Sequence, residues 1–177
     1  MTPEELNQAV QDGKLEQAAA QLEKDCADLA AKGDTHKAAE TANDLGVVYY
    51  MLKQYDPARA ALGRAREQFE GANDVVGKAR TMGNLARVEE QAGDKDKAAS
   101  LYWEAAELFH QANERDDEFA TMRSLSQLYM KRGGWLQALA TFDQALQIKP
   151  NPGLREAMLH RFYQIPLKMF GLGSGSK

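Results

Sequence analysis

A repeat of about 40 residues constrains this sequence more than any other feature. Four segments align along the chain: K-L-E-Q-A-A-A-Q-L, Q-Y-D-P-A-R-A-A-L, D-K-D-K-A-A-S-L-Y and G-W-L-Q-A-L-A-T-F. Three columns keep one and the same spacing: Ala18, Ala58, Ala98 and Ala138; Leu22, Leu62, Tyr102 and Phe142; and Leu29, Phe69 and Phe109. Because independent columns share one period, the sequence predicts an array of similar structural units.

Each unit is predicted to consist of two helices. A second motif lies upstream of the first, where L-G-V-V-Y recurs as L-A-R-V-E and L-S-Q-L-Y with the same period. Apolar residues follow helical spacing in both motifs, which gives each helix one buried stripe. In the first copy of the upstream motif these residues are Leu45, Val48, Tyr49 and Leu52.

The segments between the helices have the composition of tight turns. Gly13, Gly93 and Gly133 lie in register there, and glycine readily takes the left-handed conformation that ends a helix. Asp56, which precedes a proline, and Asp94 are predicted to cap the helices that follow.

Gly46 lies in the middle of a predicted helix, where glycine costs about 1 kcal/mol relative to alanine. Its counterparts one and two repeats later are Ala86 and Ser126, which are also small. The column therefore predicts a close crossing of the two helices of a pair, with Ala58 or its neighbours opposite Gly46. On this interpretation Gly46→Ala is tolerated or stabilising, whereas Gly46→Leu forces the helices apart.

These motifs resemble the tetratricopeptide repeat, whose signature couples small and aromatic residues on a first helix to Ala and Phe on a second. The most complete copy contains Leu125, Ser126, Tyr129, Ala138, Phe142, Ala145 and Pro150. The resemblance implies an all-α fold, a right-handed superhelical solenoid of antiparallel helix pairs. The period of about 40 residues exceeds the usual length of about 34. In this respect it is similar to the longer repeats of spindle-orientation adaptors and bacterial peptide-sensing regulators.

The boundaries of the repeats predict a single domain over residues 1–170. Its helix pairs are expected at about 2–33, 35–72, 74–113 and 115–149, followed by a capping helix at about 153–165. Thr2 and Glu5 have the spacing of a capping box at the start of the first helix. Residues 171–177 are small and polar, so they are predicted to form a flexible tail.

Charge and composition restrict the possible partners and compartment. Twenty-two basic and 26 acidic residues give a net charge of -4, which argues against nucleic-acid binding but permits a local basic face. The sequence contains no apolar run of about 20 residues, so no membrane insertion is expected. The N-terminus does not resemble a signal peptide, and the single cysteine, Cys26, is interpreted as a small apolar helix residue. These features predict a cytoplasmic protein.

The sequence offers no convergent set of catalytic or metal-binding residues. His36, His110 and His160 lie far apart, and neither a zinc-protease motif nor a phosphate-binding glycine loop occurs. We therefore expect no catalytic residues, no metal site and no cofactor, and the protein is predicted not to be an enzyme.

The resemblance also implies a site for a peptide of a partner protein. In tetratricopeptide arrays the first helices line a concave groove, which here would contain Asn43, Val47, Tyr50, Arg80, Asn84, Arg87, Gln91, Arg123, Gln127 and Lys131. Arginine and amide side chains suit carboxylates and peptide backbone, so an acidic or amphipathic peptide is expected. The alternative is that these residues form only a solvated helix face.

A structural or assembly protein that self-associates is the alternative function. It would use its end caps, through Phe162, Met169 and Phe170, or a patch on its convex surface at Trp103. The preferred interpretation of Trp103 is that it fills a gap between neighbouring repeats. Trp135 is expected to pack at the turn between the two helices of the last predicted pair.

Overall fold

The structure, a computed structural model, describes residues 1–148, which form eight α-helices and no strand. The helices are α1 (Pro3–Gln11), α2 (Leu15–Ala31), α3 (Thr35–Met51), α4 (Tyr55–Gly71), α5 (Val75–Ala92), α6 (Lys95–Gln111), α7 (Arg115–Lys131) and α8 (Trp135–Ile148). The all-α prediction is confirmed. None of these eight helices combines the length and apolar character that crossing a membrane requires.

Part of the predicted array follows Ile148. The capping helix at about 153–165 and the tail at 171–177 lie outside the described residues. The same holds for His160 and for the end-cap residues Phe162, Met169 and Phe170. The single domain over residues 1–170 also stays a prediction.

The helices belong to two compact units, and the chain passes from one to the other after Asp94. In the first unit, residues 1–94, α1 packs on α2, α2 on α3, α3 on α4 and α4 on α5. In the second unit, which begins at Lys95, α6 packs on α7 and α7 on α8. Helices that follow one another in sequence are therefore neighbours in space within each unit.

The repeated alanines form part of the buried core of each unit. Ala18, Ala58, Ala98 and Ala138 are at most 1% exposed. Small side chains at these positions let the helix axes approach closely. In the first unit the core cluster contains Ala18, Ala19, Leu22, Leu45, Val48 and Ala61, contributed by α2, α3 and α4.

One left-handed residue marks every turn and recurs at a constant interval, twice in each repeat. These residues are Gly13, Gly33, Lys53, Asn73, Gly93, Asn113 and Gly133. After α2 the amide of Gly33 donates to the carbonyl of Ala30, and the next amide, of Asp34, donates to that of Leu29. This Schellman pattern closes the helix within a single turn. The left-handed glycines are confirmed, and each repeat consists of two half-repeats of equal length.

The first helix begins as predicted, whereas α4 does not. The Thr2 hydroxyl accepts a hydrogen bond from the Glu5 amide at 3.2 Å, and the Glu5 carboxylate accepts one from the Thr2 amide at 2.7 Å. The prediction that Asp56 caps α4 is wrong, because the N-cap residue is Gln54 and its side chain makes no capping bond. The amide of Gln54 closes the preceding turn on Tyr49, so α4 begins immediately afterwards.

Asp74→Ala is expected to destabilise the protein by about 1 kcal/mol at pH 7, because Asp74 caps α5. Its carboxylate accepts a hydrogen bond from the Gly77 amide at 2.8 Å and lies 3.0 Å from Nε2 of His36. The bond from Gly77, and then His36, hold the pKa of Asp74 below its ordinary value of 3.8. The charged form therefore stabilises the fold above that value, and this stabilisation is lost as the pH falls through the lowered pKa.

Urea unfolding at pH 7 and near pH 2 measures this effect. The difference in unfolding free energy between wild type and Asp74→Ala should shrink at the lower pH. Asp74→Ser is the control, because it keeps a capping oxygen without a titrating charge. An Asp74→Ala protein as stable as wild type at pH 7 would contradict the assigned capping role.

Gly46 is a packing residue, as predicted, and the side chain opposite it is Leu62 of α4, one turn after Ala58. A Cβ atom on Gly46 would lie 2.4 Å from Cγ of Leu62, whose side chain is fully buried. The expectation that Gly46→Ala is tolerated is therefore wrong, since the branching carbon of a packed leucine cannot easily move aside. At the same column in the second unit, the Ser126 hydroxyl donates to the carbonyl of Ala138 at 2.7 Å.

Candidate functional site

Helices α3 and α5 of the first unit bring four of the predicted site residues together. Val47 and Tyr50 of α3 line one shallow depression with Asn84 and Arg87 of α5. The rest of its lining consists of Gly46, Leu62 and Val88. We call the surface formed by Val47, Tyr50, Asn84 and Arg87 the α3–α5 face.

Arg87 is held on this face by an aromatic ring. Its guanidinium carbon lies 4.9 Å from the centroid of the Tyr50 ring, a cation–π distance. Arg87 is exposed, and within residues 1–148 it forms no ion pair. Stacking restrains the guanidinium plane while its N–H groups remain available to an acceptor from outside the protein.

Asn43 lies beneath the face rather than on it. The residue is 8% exposed, and its Oδ1 accepts a hydrogen bond from Nδ2 of Asn84 at 3.0 Å. The Thr81 hydroxyl lies 3.2 Å from the same oxygen. Asn43 is therefore placed to orient the half-buried amide of Asn84.

Two further predicted residues of α5, Arg80 and Gln91, are exposed. Burial raises the pKa of Asp44 of α3, although a hydrogen bond with Asn43 and, less strongly, the charge of Arg80 lower it. Neither Arg80 nor Gln91 lines the depression, so both extend the exposed polar surface of α5 beyond the α3–α5 face.

The second unit contains a separate set of predicted site residues on α7. Arg123, Gln127 and Lys131 are exposed and spaced four residues apart, so they follow one side of the helix. The guanidinium carbon of Arg123 lies 5.9 Å from the centroid of Phe119, one turn earlier. An arginine stacked on an aromatic ring therefore occurs in both units.

A partly buried ion pair between α4 and α5 of the first unit was not predicted from the sequence. Glu89 of α5 is 2% exposed and accepts hydrogen bonds from Nε and Nη2 of Arg59 in α4, at 3.1 and 2.9 Å. Glu89 occupies the column in which Tyr49 and Tyr129 supply an aromatic residue. That substitution in L-A-R-V-E was the available signal, since a charge in an apolar column requires a partner.

Both tryptophans are more exposed than expected. The prediction that Trp103 fills a gap between neighbouring repeats is wrong, because the residue is 51% exposed. Trp135 begins α8 and is 48% exposed, so it is only partly packed at its turn.

The described residues give no sign of a metal centre, since residues 1–148 contain no group of three His, Cys, Asp or Glu side chains that could hold an ion. Cys26 is half-buried against Ala39 and Phe69, as its apolar interpretation requires. Burial raises the pKa of its thiol, which favours the unreactive protonated form.

The described chain consists of half-repeats of equal length, each a helix followed by a turn. This arrangement places the protein in the class of α-helical repeat proteins. A family profile described as Tetratricopeptide repeat matches residues 37–111 and 78–151. The chain belongs to the tetratricopeptide repeat family, which confirms the resemblance seen in its sequence motifs. Such repeats generally mediate protein–protein interaction.

Solved structures of this fold show the same architecture. BtubC (BKLC) from P. vanneervenii is 22% identical with a TM-score of 0.72, and the match covers 84% of this chain and 64% of BtubC. Nearly identical TPR-like repeats of a kinesin light chain protein from Podosopora anserina are 16% identical with a TM-score of 0.73, covering 95% and 84%. A variant of that protein is 14% identical with a TM-score of 0.65, covering 95% and 93%.

These similarities establish the fold alone, because all three identities are low. The chain spans 64% of the length of BtubC. No curated protein matches the sequence.

Proposed function

We propose that this protein is a scaffold or adaptor that binds a peptide segment of a partner protein on the exposed side of its first helices. The observation that carries the proposal is Arg87, stacked on Tyr50 with its guanidinium exposed. A restrained guanidinium loses less conformational entropy on binding a carboxylate than a freely moving one. The preferred peptide is therefore acidic or amphipathic.

Two other arginines of the described residues are used differently. Arg59 and Arg132 bind carboxylates of the protein itself, Glu89 and Asp96 respectively. By contrast, Arg87 and Arg123 contact aromatic rings, and neither forms an ion pair with any residue from 1 to 148. This difference favours a binding role over the alternative of a solvated helix face.

The neighbours of Arg87 suit the rest of a peptide. The amide of Asn84, oriented by Asn43, can donate to and accept from a peptide backbone. Val47 and Tyr50 are half-buried and offer apolar surface to every second side chain of a bound peptide. The α3–α5 face therefore combines one cationic group, one amide and the apolar surface of Val47 and Tyr50, the set that an acidic amphipathic segment requires.

Arg87→Glu is expected to weaken binding of such a peptide at least tenfold. Hydrogen bonds to a charged group contribute about 1.5–3 kcal/mol, and about 1.4 kcal/mol corresponds to a factor of ten. The probe is a fluorescein-labelled peptide of alternating Glu and Leu, followed by anisotropy, with a Gln and Leu peptide as the uncharged comparison. Arg123→Glu tests the second unit in the same way.

Arg64→Glu is the matched control, because Arg64 is exposed on α4 and undergoes the same change of charge away from the predicted face. The affinity of Arg64→Glu for the peptide should stay within about twofold of wild type. The change in net charge has only a weak effect, because salt screens it. Equal losses for Arg64→Glu and Arg87→Glu, or equal binding of the two peptides, would disprove the proposed face.

Self-association through the end caps or Trp103, catalytic inactivity and a cytoplasmic location remain predictions from the sequence. The exposed indole of Trp103 is compatible with self-association.

A further inference from the structure

A cavity of about 260 Å³ lies among α6, α7 and α8 of the second unit. Its lining consists of Trp103, Ala106, Glu107, His110, Glu118, Met122, Gln144 and Ile148. Pockets for drug-sized ligands usually have volumes of about 300–1,000 Å³. This cavity is smaller and suits a single side chain.

The cavity is separate from the predicted groove residues of the same unit. Glu118 and Met122 line it from α7, and each precedes one of the groove residues Gln127 and Lys131 by nine positions. Nine residues are two and a half turns at about 3.6 residues per turn. The cavity and the groove residues therefore lie on opposite sides of α7.

Glu118 is an incompletely paired buried carboxylate. Its side chain is 9% exposed, and Oε1 lies 3.0 Å from Nδ1 of His110. Within residues 1–148 the other oxygen, Oε2, has no hydrogen-bond partner. Oε2 forms an ion pair with Nη1 of Arg115 at 3.7 Å, which exceeds hydrogen-bond distance. A buried carboxylate oxygen without a donor is unfavourable, so a donor that enters the cavity and reaches Oε2 after a small rotation of the Glu118 side chain gains free energy.

The corresponding pair in the first unit shows what is unusual here. One repeat earlier, the columns of His110 and Glu118 hold Glu70 and Lys78, whose ion pair measures 2.7 Å. In the second unit the carboxylate occupies the position of the lysine, and its counter-groups are a half-exposed histidine, His110, and the more distant Arg115. The cavity therefore carries acidic groups without a lysine of its own.

The remaining lining fits an aliphatic cation. Trp103 is 51% exposed and offers an aromatic surface for cation–π contact. Met122 and Ile148 supply apolar walls for an alkyl stem, and Glu107 adds a second carboxylate. An anion would be repelled by the two carboxylates, and an apolar group would leave Oε2 of Glu118 without a donor.

We propose that this cavity binds the lysine or arginine side chain of a partner polypeptide, with the charged end at Glu118 and the stem between Trp103 and the apolar walls. A site that binds a cation is opposite in specificity to the α3–α5 face, where Arg87 suits an anion. The protein would thus bind a basic residue on one side of α7 independently of an acidic peptide on the other.

The test uses the whole chain labelled with ¹⁵N and end-blocked peptides of sequence Gly-Ser-Gly-X-Gly-Ser-Gly, where X is lysine, arginine or norleucine. The indole N–H resonance of Trp103 reports binding, and that of Trp135 is the internal reference. Lysine and arginine peptides are expected to shift the Trp103 resonance saturably. Norleucine, which has an alkyl side chain without charge, should bind at least tenfold more weakly.

Glu118→Gln should weaken binding of the lysine peptide at least tenfold. Glu104→Gln should leave that binding unchanged, because Glu104 is exposed on α6 and does not line the cavity. Trp103→Ala, followed through the Gln144 side-chain amide, should weaken it at least threefold. If circular dichroism shows that Glu118→Gln is unfolded, Glu107→Gln and Trp103→Ala decide the question.

Equal affinity for the norleucine and lysine peptides, or unchanged affinity in the folded lining variants, would overturn the proposal. Free n-butylamine that binds as tightly as the lysine peptide would identify a site for small amines and overturn the assignment to a polypeptide.

Discussion

Gly46→Leu is expected to destabilise the first unit by about 3 kcal/mol, the upper part of the range for an overpacked core. A Cβ atom on Gly46 would already lie 2.4 Å from Cγ and 2.7 Å from Cδ2 of Leu62. Leu62 is fully buried, so it has no solvent into which to move. The added side chain therefore separates α3 from α4 along their contact.

Gly46→Ala should also be destabilising, although less so. Overpacking costs about 1–3 kcal/mol, and the better helix propensity of alanine offsets about 1 kcal/mol. Gly83→Ala is the matched control, because Gly83 is a helical glycine of α5 with no atom within 4 Å of an added Cβ. That variant should gain about 0.5–1 kcal/mol in stability.

Urea unfolding of Gly46→Ala and Gly83→Ala, followed by circular dichroism and by hydrogen exchange of α3 amides, measures both changes in stability. The first variant should lose stability and the second should gain it. In a Leu62→Ala background the clash is absent, so Gly46→Ala should become stabilising by about 1 kcal/mol, as at an open helical site. A destabilising effect that persists without Leu62 would show that another contact requires the glycine.

Arg59→Ala is expected to destabilise the protein by about 3 kcal/mol, because it removes the guanidinium that forms an ion pair with the buried carboxylate of Glu89. The contact is specific in geometry: Nε and Nη2 of Arg59 donate to the two oxygens of Glu89 at 2.9–3.1 Å. The Glu89 bond and charge also raise the pKa of Arg59, which therefore stays charged. The pair joins α4 to α5.

The surface pair formed by Arg132 and Asp96 is the control. Asp96 has an 87% exposed side chain, so Arg132→Ala should cost at most about 1 kcal/mol. Replacing both partners of the buried pair, as Arg59→Met with Glu89→Leu, should restore most of the stability lost in Arg59→Ala. If Arg59→Ala is no worse than Arg132→Ala in urea unfolding, the buried pair is not a major contribution.

The repeat columns predicted the helices and much of the core. Ala18, Ala58, Ala98 and Ala138 are buried as their spacing indicated. Part of the candidate site was also predicted, since the resemblance to the tetratricopeptide repeat placed Val47, Tyr50, Asn84 and Arg87 on neighbouring first helices. The family match confirms the architecture, whereas the binding role of these residues is a proposal.

The columns did not predict which side chains meet across helices. Asn43 was placed in the groove, yet its amide is buried and orients Asn84. Glu89 was noted in L-A-R-V-E without its partner, because Arg59 lies far away in sequence on another helix. Lys53 at a left-handed turn position was also missed, since glycine usually marks such a residue.

By itself, then, the sequence determined the helices, their period and their family, because periodicity, small-residue columns and most turn signals act within one helix or one turn. Only the tertiary structure decided that Leu62 fills the space at Gly46, that Arg59 binds Glu89 and that Glu118 lines a cavity beside Trp103. Those outcomes depend on rotamers and distances between helices, which repeat columns do not encode.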